Sequence, residues 1–286
     1  MAIQKESTEK LQGVPETLMI TLYGRYTEQS YPDCILKDEK AVEITKKIDY
    51  NFSKYALGWS SQLATVIRAK TIDDLLIKFL ATNSQATVIN LGGGLCTRFF
   101  RIDNGEINWY EVDFPEVIEL KEKLLKQSNR YHLIASSILE TTWIEQINPD
   151  VNQPLFLIME GVSMYLSEEE NKALFTQIQT MLAPKFAPIT MVFDVLSKQA
   201  AAKTKRHDTV SKTSAKFKWG IDNSQELETW DLGITLKDEI YYLPEFANYP
   251  QRMKPFWLKY ISFILMPIFR KNAHILQVEI NLGSRK

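Results

Sequence analysis

"VINLGGGLCTRFFRI", Val88 to Ile102, decides how the rest of the chain is read. An apolar run enters three consecutive glycines, Gly92, Gly93 and Gly94, and leaves through a basic, aromatic segment. Near-continuous apolar character marks a strand covered on both faces of a parallel sheet. Glycines just past such a strand leave room for the turn and for close approach of a ligand. In open α/β sheets, ligands bind beyond the carboxyl ends of the strands. The dinucleotide fingerprint G-x-G-x-x-G is met only in part. Gly92 and Gly94 fit, but Thr97 stands where the third glycine would fall.

The next strand, "INWYEVDF", ends in an acid, Asp113, 21 residues beyond Gly92. A carboxylate at about 20 residues is placed to accept hydrogen bonds from ribose hydroxyls. NAD and S-adenosylmethionine both present such a ribose. NAD also needs its pyrophosphate seated on a helix N-terminus. S-adenosylmethionine instead needs groups that hold a carboxylate and an ammonium.

Strand and helix then alternate. "YHLIAS", "PLFLIM" and "PITMVFDVL" read as further buried strands, with "PEVIELKEKLLKQ" and "SEEENKALFTQIQTMLA" as helices. Pro115 suits a first helical turn, and Ser167 followed by acids suits an N-cap. The fold class is therefore α/β, a doubly wound sheet with helices on both faces. Upstream, "ETLMITLYGRYTEQ", a block from Asp38 to about Ile48 and "LATVIRAKTIDDLLIKFLA" carry helical spacing, broken at Pro32-Asp33. Residues 1 to about 15 read as a frayed polar leader. Downstream, a polar, basic stretch after the fifth strand reads as an insertion. "SQELETWDLG" follows as a helix, "ITLKDEIYYL" as a strand and "HILQVEINLG" as a last, alternating strand. "PFWLKYISFILMPIF" is too short to span a bilayer and is expected as a buried helix on the sheet or cap, rather than a membrane-surface or partner-binding element. The expected division is a helical cap over 1–85 and a core over 86–286, with the inserted lid at about 197–230.

Composition excludes several classes. A net charge of −1 gives no global preference for nucleic acid. Two distant cysteines and three histidines without HxH or HExxH spacing provide no metal motif. The polar start carries no signal-peptide core, which makes the cytoplasm the expected location.

Four motifs in order, "ETLMITLYGRYTE", "VINLGGGLCTRFFRI", "WYEVDFPEVIELK" and "IMEGVSMYLSEEE", resemble the leucine carboxyl methyltransferase family, in particular its bacterial branch. The resemblance implies a class I methyltransferase fold, Rossmann-like, with a mostly parallel seven-stranded sheet. It also implies S-adenosylmethionine as cofactor and methylation of a carboxylate or hydroxyl, as in natural-product biosynthesis or at a protein C-terminus. By the same resemblance, Arg68 pairs with the cofactor's carboxylate, as a planar guanidinium can. Gly92, Gly93 and Gly94 line the cofactor, Asp113 holds the ribose, and Glu160 lies near the amino-acid end. Two features depart from the family pattern. Ser136 and Ser137 stand where an acid often contacts the adenine amino group, and Cys96 stands where "GLDTR" has its aspartate; Cys96 reads first as packing. Arg25 and Tyr165 are candidates to face the substrate.

A carboxylate acceptor needs no general base, whereas a phenol or alcohol benefits from one. His132 and His274 begin strands at the edge of the sheet away from the site. His207, in "KTKRHDT", and Tyr165 are the remaining weak candidates, so no base is evident. Lys203, Lys205 and Arg206 could attract an anion. The partner expected is a small molecule. The rival readings are an NAD-dependent oxidoreductase and a non-catalytic cofactor-binding protein.

Overall fold

Alternate residues of the first buried strand serve two different cores, and this sets the architecture. The computed structural model describes residues 5–147, 153–186, 188–254 and 256–282. In β1 (Thr87–Leu91), Val88 packs into one hydrophobic cluster while Ile89 and Leu91 pack into the other. Both clusters are apolar because both faces of the sheet are covered by helices.

The sheet continues through β2 (Asn108–Asp113), β3 (Tyr131–Ala135), β4 (Leu155–Met159), β5 (Ile189–Leu196), β6 (Ile234–Ile240) and β7 (Ala273–Ile280). Its order is β3-β2-β1-β4-β5-β7-β6. The pairings from β3 to β5 are parallel, and β7 runs antiparallel to both of its neighbours. Inserted between β5 and β6, β7 is buried along most of its length, where simple alternation was expected. Chain order reverses at β1, which lies between β2 and β4. This is the switch point where an α/β sheet opens a crevice.

Helices α1 (Leu18–Glu28), α2 (Glu39–Lys47), α3 (Trp59–Leu80) and α4 (Pro115–Leu124) contribute to the first cluster; α5 (Glu168–Gln177) contributes to the second. The α2 helix is capped by Asp38, which accepts from the Ala41 N–H at 3.0 Å. The α5 helix has a full capping box between Ser167 and Glu170. Beyond Gln177 the helix widens into a π-turn over Ile178–Leu182, which the helical pattern did not foretell.

Two expectations fail. The segment from Lys5 to Pro15 is not frayed. Glu6–Ser7 pairs in parallel with Ile48–Asp49, and Val14 and Pro15 wall a cavity; residues 1–4 lie outside the described residues. The apolar stretch near the C-terminus forms α6 (Leu258–Ile268), but the helix is not buried. Phe263 is 66% exposed and Ile268 68%. Its periodicity is helical as read. However, both faces of the sheet are already covered, so only one flank of α6 finds a surface to pack on.

Candidate active site

The carboxyl ends of β1 to β4 converge on one cavity of about 300 Å³. Arg25, Arg68, Gly92, Gly93, Gly94, Asp113, Ser137, Glu160 and Tyr165, all singled out from sequence, line it. Ser136 does not. Its hydroxyl is turned away, 2.9 Å from Thr142 Oγ1 and donating to the Ser137 carbonyl at 3.1 Å. His207 does not reach it either. It packs edge-on against Phe217, beside Asp208, whose carboxylate accepts from Ser60 and Ser61 at the start of α3. Lys203, Lys205 and Arg206 are likewise absent from the lining, whereas Lys218, farther along the same segment, is present.

The register of the sheet explains the spacing between the glycine loop and its acid. Every β1–β2 pair, from Thr87 with Asn108 to Leu91 with Val112, is offset by 21 residues. Continued one step, the ladder sets Gly92 opposite Asp113, and the Gly92 N–H donates to the Val112 carbonyl at 2.8 Å. Asp113 accepts from the Gly94 N–H at 2.7 Å and from the Phe114 N–H at 2.8 Å. Burial outweighs these bonds and pushes its carboxyl up to about 6.

Two glycines are needed for identifiable reasons. Gly92 has φ +66°, and a Cβ there would come within 2.6 Å of Val162. A Cβ on Gly93 would come within 2.3 Å of Glu111 Oε2 and 2.5 Å of Asn90 Nδ2. Those atoms form a buried polar floor under the loop. Asn90 donates to Glu111 at 2.8 Å, Trp109 Nε1 donates at 2.9 Å, and Lys121 pairs with Glu111 at 3.1 Å.

Behind the cavity runs a string of alternating buried charges. It connects Arg25, Asp38, Arg101, Asp73, Arg98, Glu160, Arg68 and Asp194 through contacts of 2.5–3.3 Å. Four cations match four carboxylates, so the string is neutral. Burial opposes ionisation of Glu160, but Arg68 and Arg98 together outweigh it and hold the carboxyl down to about 2. Asp194 also accepts from the Gly161 N–H at 2.6 Å, fixing the turn after β4. Arg98 and Asp194 were not anticipated. A lone acid within the apolar "ITMVFDVL" was the available signal for Asp194. Arg98 lies in the basic, aromatic segment after the glycines, where no local signal sets it apart from Arg101. Cys96, at the family aspartate position, is buried with its sulfur 3.6 Å from Arg98 Nη1, a packing role with one weak polar contact.

The residues present fit S-adenosylmethionine. Asp113 offers acceptors for a ribose diol. The apolar walls near Phe114, Val117, Ile138 and Leu139 suit an adenine. Arg68 and Glu160 present opposite charges, which match an amino-acid carboxylate and ammonium. NAD fits poorly. Thr97, at the third-glycine position, is buried and donates to Asp38 at 2.6 Å, and only a four-residue helical turn, Phe99–Ile102, follows the loop.

The fold and the site thus define an S-adenosylmethionine-dependent methyltransferase of class I. Known proteins agree: the leucine carboxyl methyltransferase family model matches residues 27–179. The tetracenomycin polyketide synthesis O-methyltransferase TcmP of Streptomyces glaucescens is 30% identical over 81% of this chain and 84% of its own. The S-adenosyl-L-methionine-dependent methyltransferase dpfgK of Gibberella zeae is 26% identical over 83% and 85%. A DUF574 family protein of known structure from Streptomyces avermitilis shares the fold with a TM-score of 0.58, at 11% identity over 93% of this chain and 97% of that one. The chain belongs to the leucine carboxyl methyltransferase family.

Proposed function

We propose that this methyltransferase methylates an oxygen of a small, largely apolar molecule, and that the acceptor oxygen is a carboxylate. The observation that carries this reading is the absence, among the described residues lining the cavity, of a group able to take a proton at neutral pH and free to do so. No histidine lines it. Burial pushes the Tyr165 phenol up to about 12, so Tyr165 stays protonated and is no base at neutral pH. Glu160 is engaged by two arginines, Asp113 by the Gly94 and Phe114 N–H groups, and Glu170 by the Ser167 N–H and Lys218. An acceptor that is already ionised needs no base.

When bound, S-adenosylmethionine supplies a methyl group on a positive sulfur. The protein's own contribution is placement. Asp113 and Arg68 fix the two ends of the cofactor site, the glycine loop admits close approach, and the walls from Val14 to Leu18 and from Val162 to Leu166 exclude water around the acceptor. Lys218, 3.1 Å from Glu170 and half exposed, supplies a cation on the cavity wall for an anionic acceptor. Polyketide or peptide acids of secondary metabolism have this chemistry, and the Streptomyces relative is named for O-methylation in polyketide synthesis.

The test is methyl transfer to matched panels of carboxylic acids and phenols as a function of pH. Carboxylates are expected to react at a rate flat from about pH 7 to 9, because they are ionised throughout. An unassisted phenol, with a pKa of about 10, would instead gain about tenfold per pH unit. Exclusive use of phenols on such a rising profile would overturn the carboxylate reading. Lys218→Ala is expected to raise KM for an anionic acceptor by about two- to fivefold and leave kcat within about twofold, as suits a half-exposed charge.

A further inference from the structure

The surface of this protein is unusual at one place. Of the fifteen large hydrophobic side chains that are exposed among the described residues, eight lie between Phe256 and Phe269. Such concentration marks an interaction surface, since scattered exposed apolar residues are ordinary but contiguous patches are not. Phe256, Trp257, Tyr260, Phe263, Ile264 and Ile268 recur at helical spacing, so they form one stripe along α6. The opposite flank holds the helix in place. Ser262 is buried, and Leu258 and Met266 pack against the core, with the turns at Leu243–Asn248 and Pro250–Arg252 beneath.

The charges within the segment that carries the stripe are all of one sign. No acidic residue occurs between Glu245 and Glu279, while Lys259 lies in the helix and Lys254, Arg270 and Lys271 flank it. Arg252 does not count among them, because it is buried against Glu28 and Asp33. Lys259 lies over the Phe256 and Tyr260 rings, at 4.1 and 4.8 Å, and Arg270 over Tyr241 at 5.2 Å. Cations thus border an aromatic and aliphatic stripe on a chain whose net charge is only −1. A two-fold contact between copies would bring these like charges toward one another. An anionic lipid surface instead accepts the cations at its headgroups and the stripe in its acyl boundary, the arrangement of an in-plane amphipathic helix. No described helix is long and apolar enough to cross a membrane.

We propose that α6 docks this methyltransferase on the surface of an anionic bilayer, lying in the plane with its exposed stripe inserted. The experiment is co-flotation of the full chain with phosphatidylcholine vesicles, with and without about 30 mol % phosphatidylglycerol. Binding is expected to the anionic vesicles, at least about tenfold tighter than to neutral ones and weakened by about 0.5 M salt. Ile264→Glu, and separately Arg270→Glu with Lys271→Glu, should each weaken it by more than about tenfold. Both variants should keep S-adenosylhomocysteine binding, which shows that they are folded. Failure of the wild-type chain to bind anionic vesicles would overturn the proposal, as would binding that the folded variants retain. So would a solution dimer that Ile264→Glu dissociates in a chain that ignores vesicles, because the stripe would then belong to a second copy.

Discussion

Asp113→Ala is expected to weaken S-adenosylhomocysteine binding by more than about tenfold, since hydrogen bonds to an ionised partner contribute about 1.5–3 kcal/mol each. The wild-type protein should also show a pH dependence that the variant lacks. In the free protein, burial raises the Asp113 carboxyl to about 6. The ribose hydroxyls need the ionised form as acceptor, so ligand binding favours loss of the proton. Affinity should therefore be full above about pH 7 and fall as pH drops through about 6, by up to about tenfold per unit. Calorimetry from pH 5 to 8 measures both effects. A flat wild-type profile, or unchanged affinity in Asp113→Ala, would remove Asp113 from the ribose site. The same group carries a cost for the free fold. A carboxyl raised above its unfolded value destabilises when ionised, so this cost appears as pH rises from about 4 through about 6 and is absent below.

Arg98→Met is expected to cost about 3–5 kcal/mol of folding stability, because it strands two buried carboxylates. Arg98 is only 1% exposed and joins Asp73 at 2.5 Å to Glu160 at 2.7 Å. Truncation keeps most of the apolar volume and removes the charge from the middle of the string. The pH signature has the opposite sign to that of Asp113. The Glu160 carboxyl is held down to about 2 in the fold. Its stabilisation is present above about pH 4.5 and lost as pH falls toward about 2. Without Arg98 that acid limb should move upward, with unfolding beginning at a higher pH. Urea titrations at pH 7 and pH 4 test this. A loss under about 1 kcal/mol at pH 7 would show that the string is a surface-like ion pair series rather than a buried one.

Much of the site was legible because it rests on local rules. Three glycines after a five-residue apolar strand, and an acid at the end of the next, are set by backbone turn geometry and by sheet register. The 21-residue spacing is the β1–β2 register itself. Ser136 and Ser137 show the limit of such reading. They are neighbours in the sequence, yet only Ser137 faces the cavity, because the chain leaves β3 there and successive side chains diverge. Lys218 lines the cavity while Lys203, Lys205 and Arg206 do not, and nothing local reveals which part of an irregular basic segment returns to the site. The segment comes back because the Lys218 N–H donates to the Met164 carbonyl at 2.7 Å.

By itself the sequence determined the doubly wound sheet, the capped helices and the glycine–acid pair, because periodicity, caps and register act over short distances. Tertiary structure alone decided the rest. The charge string joins residues from Arg25 to Asp194, and their pairing with one another follows only from the fold, which removes water from all of them together. The exposed stripe of α6 is the converse. Its residues have the composition of a core helix, but burial depends on a free surface to pack against, and the covered sheet leaves α6 only one flank.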